Sequence, residues 1–290
     1  MSLKIVVLAK QVPDTRNVGK DAMKADGTVN RAALSAIFNP EDLNALEMAL
    51  TVKDRVPGST VTVITMGPSR AADILRESLY RGADEGILIT DKKFAGSDTL
   101  ATSYALSLAI KKIGNVDLVV TGRQAIDGDT AQVGPQTAEK LCYPQITYAE
   151  EVVEVTTSGI RIKRRLERGI EIVESPYPCL VTVHSSAPDC RSKIAKRVMK
   201  FKKARTLSEL QEMENDYIPL WENKPYLKIT EWSASDLAAD SDWLGLSGSP
   251  TKVKKIENVV LAQKESKLLT PADEDINGLM KELITSHIIG

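Results

Sequence analysis

Histidine, cysteine and aromatic side chains are scarce in this 290-residue chain: two His, three Cys, and 4% Phe, Trp and Tyr together. His184 ends an apolar run and His287 lies in the tail, so neither belongs to a catalytic group. No nucleophile elbow, zinc-binding helix or Walker-type phosphate loop occurs, which argues against a hydrolase or ligase, and no catalytic residue is expected. Cys142, Cys179 and Cys190 show no paired spacing. A disulfide framework and a zinc site are therefore unexpected, and a reducing cytoplasm is the default location. Cys142 and Cys179 follow or sit in apolar patterns and read as core thiols. No apolar run reaches the roughly 18 residues of a bilayer span. A net charge of −1 removes any bulk argument for nucleic acid or an anionic membrane. The first nine residues run straight into a strand pattern without a small-residue cleavage site, unlike a signal peptide.

What is present suits a folded α/β protein. Apolar residues make up 42% of the chain, enough for one sizeable domain and an appendage. Strand patterns fall at 3–9, 60–66, 86–90 and 116–121, nearly all apolar, as strands covered on both faces should be. Helix patterns lie between them. Asn39 stands as an N-cap, with Pro40 in the first helical position and Glu41 and Asp42 in the first turn. A second helix runs from about Arg70 to Gly82, and Ser97 is placed to cap a third. This order predicts a doubly wound, mostly parallel sheet, Rossmann-like, with ligands outside the carboxyl ends of its strands. Residues 150–174 read as a small β meander, and 178–183 as another buried strand. Residues 191–205 are strongly basic. The division expected is a nucleotide-binding domain over 1–205 and an extended C-terminal arm over 206–290. Trp221, Trp232 and Trp243 all fall in that arm, and Pro219 and Pro225 rule out one long helix there. The arm either packs on another chain or folds back on its own core.

The most informative string is Gly122-Arg123-Gln124-Ala125-Ile126-Asp127-Gly128-Asp129-Thr130-Ala131-Gln132-Val133-Gly134-Pro135. It follows a buried strand and leads into a helix that must begin near Gln132 or Val133, because Pro135 is tolerated only in a first turn. Small residues there let backbone N–H groups approach a phosphate at a helix N-terminus. Gln124, Thr130 and Gln132 add side-chain donors, while Asp127 and Asp129 suit a ribose, an adenine or the loop's own backbone. An ordinary βα turn fits the same string. Four shorter clusters accompany it: Ala9-Lys10-Gln11-Val12-Pro13-Asp14, Asn39 to Asp42, Met66-Gly67-Pro68 and Gly96-Ser97-Asp98-Thr99. All but the Asn39 group directly follow a strand and can converge on one crevice. Taken singly, each reads more readily as a turn or a cap than as a ligand group.

Together, Lys10-Gln11-Val12-Pro13-Asp14, Asn39-Pro40-Glu41-Asp42, Gly82-Ala83-Asp84 and Gln124-Ala125-Ile126-Asp127 resemble electron-transfer flavoprotein beta subunits. The likeness runs from about residue 3 to 205 and continues more weakly into Gly248-Ser249-Pro250-Thr251. A signature of these subunits runs from Ile162-Lys163-Arg164 through Gly169 and Glu171 to Pro178 and Thr182, with Arg168 where it expects an acidic residue or Gly. The resemblance implies a heterodimer with an alpha subunit that carries one FAD. It implies AMP or a second FAD in the beta chain, held by Ala9, Lys10, Asn39 to Asp42, Met66, Gly67, Ser97, Thr99 and Gly122 to Pro135. Gly128, and Phe94 to Ser103, resemble the electron-bifurcating and nitrogen-fixation-linked branch, which implies FAD. NADH is then the electron donor, and an acyl-CoA or related dehydrogenase and ferredoxin or flavodoxin are the partners. Replacing a carboxylate by Gly beside a pyrophosphate lowers repulsion, in the same direction. Arg123 is a candidate charge for an anionic flavin, with an ordinary ion pair as the alternative. Arg191, Lys193, Ile194 and Lys196 resemble the loop that anchors to the partner dehydrogenase, with a solvated helix face as the alternative. A stand-alone nucleotide-binding stress-type protein remains the other reading of such a sheet.

Overall fold

The computed structural model describes residues 2–14, 35–211, 218–251 and 268–289. Its first strand, β1 (Lys4–Leu8), alternates two apolar sets. Ile5 and Val7 pack with Leu46, Leu50 and Leu75 on one face. Val6 and Leu8 pack with Leu106, Ile110 and Phe94 on the other. A strand buried on both faces is central in its sheet, and the rest is built around it.

A short hairpin follows, β2 (Gln11–Pro13) with β3 (Ala36–Phe38), which the sequence patterns did not reveal. Next come α1 (Pro40–Arg55), β4 (Thr60–Met66), α2 (Ala72–Arg81), β5 (Glu85–Ile89), α3 (Thr99–Ile113), β6 (Leu118–Gly122) and α4 (Val133–Leu141). The meander is longer than its sequence pattern: β7 (Gln145–Val155), β8 (Gly159–Leu166) and β9 (Gly169–Pro176). After it come β10 (Cys179–Val183), α5 (Ala195–Phe201), α6 (Leu207–Gln211), α7 (Ile218–Asn223), β11 (Thr230–Trp232) and α8 (Asp273–Thr285). The large sheet has nine strands in the order β11-β5-β4-β1-β6-β10-β7-β8-β9. Every pair from β11 to β7 is parallel, and β7-β8-β9 is antiparallel. This is the doubly wound α/β sheet with a meander that the sequence predicts.

The chain after residue 206 divides. Thr230–Trp232 adds an edge strand beside β5, and Ala234, Leu237 and Leu244 join the core under α3. Trp221 donates its indole N–H to the Arg205 carbonyl at 3.0 Å. By contrast, α8 has no buried residue, and Ile276, Met280 and Ile284 stand exposed along it.

Three local readings need correction. Asn39 precedes α1 as expected, yet its side chain makes no cap bond there, because it is drawn across to residues 124 and 126. Asp98, not Ser97, caps α3, accepting the N–H groups of Leu100 at 2.9 Å and Ala101 at 3.1 Å. A carboxylate one residue nearer the helix is the better acceptor, and Ser97 turns back to the Phe94 carbonyl. Cys142 is exposed at the left-handed C-cap of α4 rather than in the core, whereas Cys179 is buried as expected.

Candidate functional site

The chain winds from β1 outward to β4 and β5, then crosses to β6 on the other side of β1. The switch point therefore lies between β1 and β6, where open α/β sheets hold ligands. Ala9 and Lys10 leave β1 there, Gly122 ends β6, and the first turn of α1 stands over both.

That turn grips its surroundings. Asp42 accepts the N–H of Lys10 at 2.8 Å and of Gly122 at 3.1 Å. Glu41 accepts the N–H of Gln124 at 3.0 Å and pairs with the Arg123 guanidinium at 2.9 Å. Asn39 donates to the Gln124 carbonyl at 2.9 Å and accepts the N–H of Ile126 at 3.2 Å. All three side chains are buried. Burial pushes the Asp42 carboxyl up to about 7, with Glu41 adding to the rise, against the pull of the Lys10 and Gly122 amides and Asn39. The Arg123 charge is thus already matched by Glu41, the ion-pair alternative.

Beyond Ile126 the loop turns outward, and Asp127, Gly128, Asp129 and Thr130 are exposed. The N–H groups of Gly128 and Asp129 both meet the Ala125 carbonyl, and Gln124 donates to Asp129 at 2.9 Å. Asp129 and Ala131 are left-handed, with φ of 48° and 52°. Ala131 is followed by right-handed Gln132, an alternation that turns successive amides toward one concavity. From Thr130 to Gly134 the amides have no acceptor among the described residues. No side chain caps α4. A bare helix start with converging donors is receptive to phosphate.

Glycines shape the approach. A Cβ on Gly134 would stand 2.8 Å from a Thr182 methyl and 3.0 Å from that of Thr121, so α4 starts flush on β6 and β10. A Cβ on Gly128 would meet nothing within 4 Å, leaving its side of the loop open.

Other sequence-chosen residues gather less uniformly. Lys10 reaches both Asp127 oxygens at 2.8 Å, closing a bridge from the end of β1 to the loop. Thr99 donates to Gln132 at 2.9 Å, bringing the start of α3 to the start of α4. Ala9 directly follows β1 and Met66 ends β4, and the Gly67 N–H is held by the Ile89 carbonyl at 3.0 Å. Ser97 faces the Phe94 carbonyl instead of the loop. The late segment at Ser249 and Thr251 closes on Asp98: Asp98 donates its N–H to Ser249 at 2.8 Å and accepts the Thr251 N–H at 3.0 Å.

Tyr148 and His184, not chosen from the sequence as ligand groups, flank the same strand ends with ring centroids 6.0 Å apart. The Arg123 N–H meets the Val183 carbonyl beside them at 2.8 Å. No local motif marks these two rings, because only the β7–β10 register brings them together.

The basic stretch is partly neutralised within the chain. Arg191 pairs with Glu47 at 2.8 Å and Asp54 at 2.9 Å, which together hold its guanidinium above its ordinary range. Lys193 lies 3.4 Å from Glu77. Ile194, Lys196 and Met199 are exposed.

A mostly parallel sheet wound outward on both sides of β1 defines a protein of the doubly wound α/β class. Comparison with known proteins makes the assignment specific: the chain belongs to the electron-transfer flavoprotein family and resembles its beta subunits. The electron transfer flavoprotein domain matches residues 26–207. The chain is 39% identical to the electron transfer flavoprotein subunit beta of Megasphaera elsdenii, across 99% of this chain and all of that one. It is 38% identical to the caffeyl-CoA reductase-Etf complex subunit CarD of Acetobacterium woodii, with the same coverage. It is 39% identical to Protein FixA of Azotobacter vinelandii, over 97% of this chain and 95% of that one.

Proposed function

We propose that this chain is the beta subunit of a bifurcating electron-transfer flavoprotein heterodimer and that its switch-point crevice holds FAD. The observation carrying the proposal is the bare start of α4 beside the open Gly128 position. The Thr130 to Gly134 amides would hold the phosphates, and Lys10 and Thr99 border them. When bound, FAD would accept a hydride from NADH and pass its two electrons singly along separate routes. The protein's part is to bind, to orient and to set charge around the ring system. Tyr148 and His184 offer flat surface at the strand ends, and the Glu41 partner fixes Arg123 in place.

The partners follow from the same reading. An alpha subunit carries the other FAD, and its surface would cover the exposed Ile276, Met280 and Ile284 of α8, the end of the 206–290 arm. An acyl-CoA or related dehydrogenase would meet Arg191, Lys193, Ile194 and Lys196, with Ile194 supplying exposed apolar area. Ferredoxin or flavodoxin takes the low-potential electron. No helix among the described residues is long and apolar enough to cross a membrane, and a cytoplasmic location fits all these partners.

The test is anaerobic. The heterodimer is mixed with NADH, its dehydrogenase and acceptor, and ferredoxin. Reduction of ferredoxin coupled to reduction of the acceptor is the expected result. Acceptor reduction with ferredoxin left oxidised makes the protein a plain electron carrier.

A further inference from the structure

The side chains of Asn39, Glu41 and Asp42 take the N–H groups of Ile126, Gln124 and Gly122 respectively. Those amides are alternate ones along the segment leaving β6. Three consecutive amides on one edge of an extended segment are normally paired by a neighbouring strand. Here β1 has ended at Leu8, and on that edge no described strand continues beside residues 122–126, while the other edge still meets β10 at Gly122 and Arg123. Side chains from the first turn of α1 stand in for the missing strand. The same turn also holds Lys10: Asp42 accepts its N–H, and the Asn39 N–H meets its carbonyl at 3.0 Å.

We propose that Asn39, Glu41 and Asp42 are positioning residues, a side-chain zipper that fixes where the phosphate loop leaves the sheet, and that they do not contact the nucleotide through their side chains. The proposal rests on the crevice being the nucleotide site. Three features support it. Each carboxylate oxygen facing residues 10 and 122–124 already has a donor within the chain. The Glu41 carboxylate, an acceptor only, is also a poor neighbour for phosphate oxygens, which need donors. And the helix α1, unlike α4, has its first turn closed over by protein: a Cβ on Gly122 would fall 2.4 Å from the Asp42 carboxylate and 2.8 Å from the Glu41 carbonyl carbon. No room for a ligand exists between them. The zipper thus separates duties: the first turn of α1 fixes the root of the loop, and the amides from Thr130 to Gly134 remain for the anion.

Hydrogen exchange of the full chain in its heterodimer, read by mass spectrometry on peptides spanning residues 118–130, tests this with and without the nucleotide. Slow exchange at 122–126 is expected in both states. Glu41→Ala should speed exchange there about tenfold, the scale of one lost hydrogen bond, and loosen the nucleotide by a similar factor. Glu41→Gln should restore most of both, since its carbonyl still accepts the Gln124 N–H. Nucleotide loss in Glu41→Ala with unchanged exchange would show direct ligand contact and overturn the proposal. Faster exchange with nucleotide affinity unchanged would also overturn it. A wild-type complex that carries no nucleotide removes the site assignment, while slow exchange at 122–126 in that complex still reads the zipper by itself.

Discussion

Gly122→Ala should destabilise the chain by about 1–3 kcal/mol, the usual range for forcing atoms into a packed site. The backbone at this position is not left-handed, so the cost is not conformational. The added methyl would stand 2.4 Å from the Asp42 carboxylate, 2.8 Å from the Glu41 carbonyl carbon and 2.9 Å from the Asp42 nitrogen. A rotating carboxylate can relieve the first contact, but the other two are backbone in the first turn of α1. Relief therefore requires α1 and β6 to move apart, which stretches the bonds from Asp42 and Glu41 to residues 122 and 124. A lowered denaturation midpoint, with nucleotide lost before global unfolding, is the expected pair of results. Wild-type stability in this variant would show that α1 does not sit so closely on β6.

Gly128→Asp should act by a different route. Its added side chain meets nothing within 4 Å, so folding should be untouched. The new carboxylate would join Asp127 and Asp129 beside the phosphates. Weakening on the order of 1–3 kcal/mol, or about 5- to 150-fold in dissociation constant, is expected if the group is partly desolvated by the bound nucleotide. Gly128→Asn separates charge from size and should bind nearly as wild type. Equal retention in the aspartate variant would place position 128 away from the phosphates. Gly122 thus tests the scaffold, and Gly128 tests the ligand.

Much of this architecture was legible before any coordinates. Runs such as those in β1 and β4 are apolar on both faces, and only a covered parallel sheet hides them. The helix start at Val133 was fixed by Pro135, which has no N–H to give and so marks a first turn. The role of the Asn39 side chain was not legible. Asn before Pro-Glu-Asp carries every local sign of a cap, but burial against residues 124 and 126 offered it partners more than eighty positions away. Edge strand β11 was hidden for a similar reason: Thr-Glu-Trp is too short to show a period, and only pairing with β5 makes it a strand. In the basic stretch, sequence counts charge but not its neutralisation, and the partners of Arg191 lie on α1. Long-range pairing decided these cases, whereas the cap of α3 at Asp98 and the exposed Cys142 turned on local helix-end geometry.

The most direct test is the nucleotide released when the purified heterodimer is denatured. Two FAD per heterodimer, with no AMP, is the result expected of a beta crevice that holds FAD beside Gly128. One FAD and one AMP would contradict it and make this chain the beta subunit of a simple electron carrier.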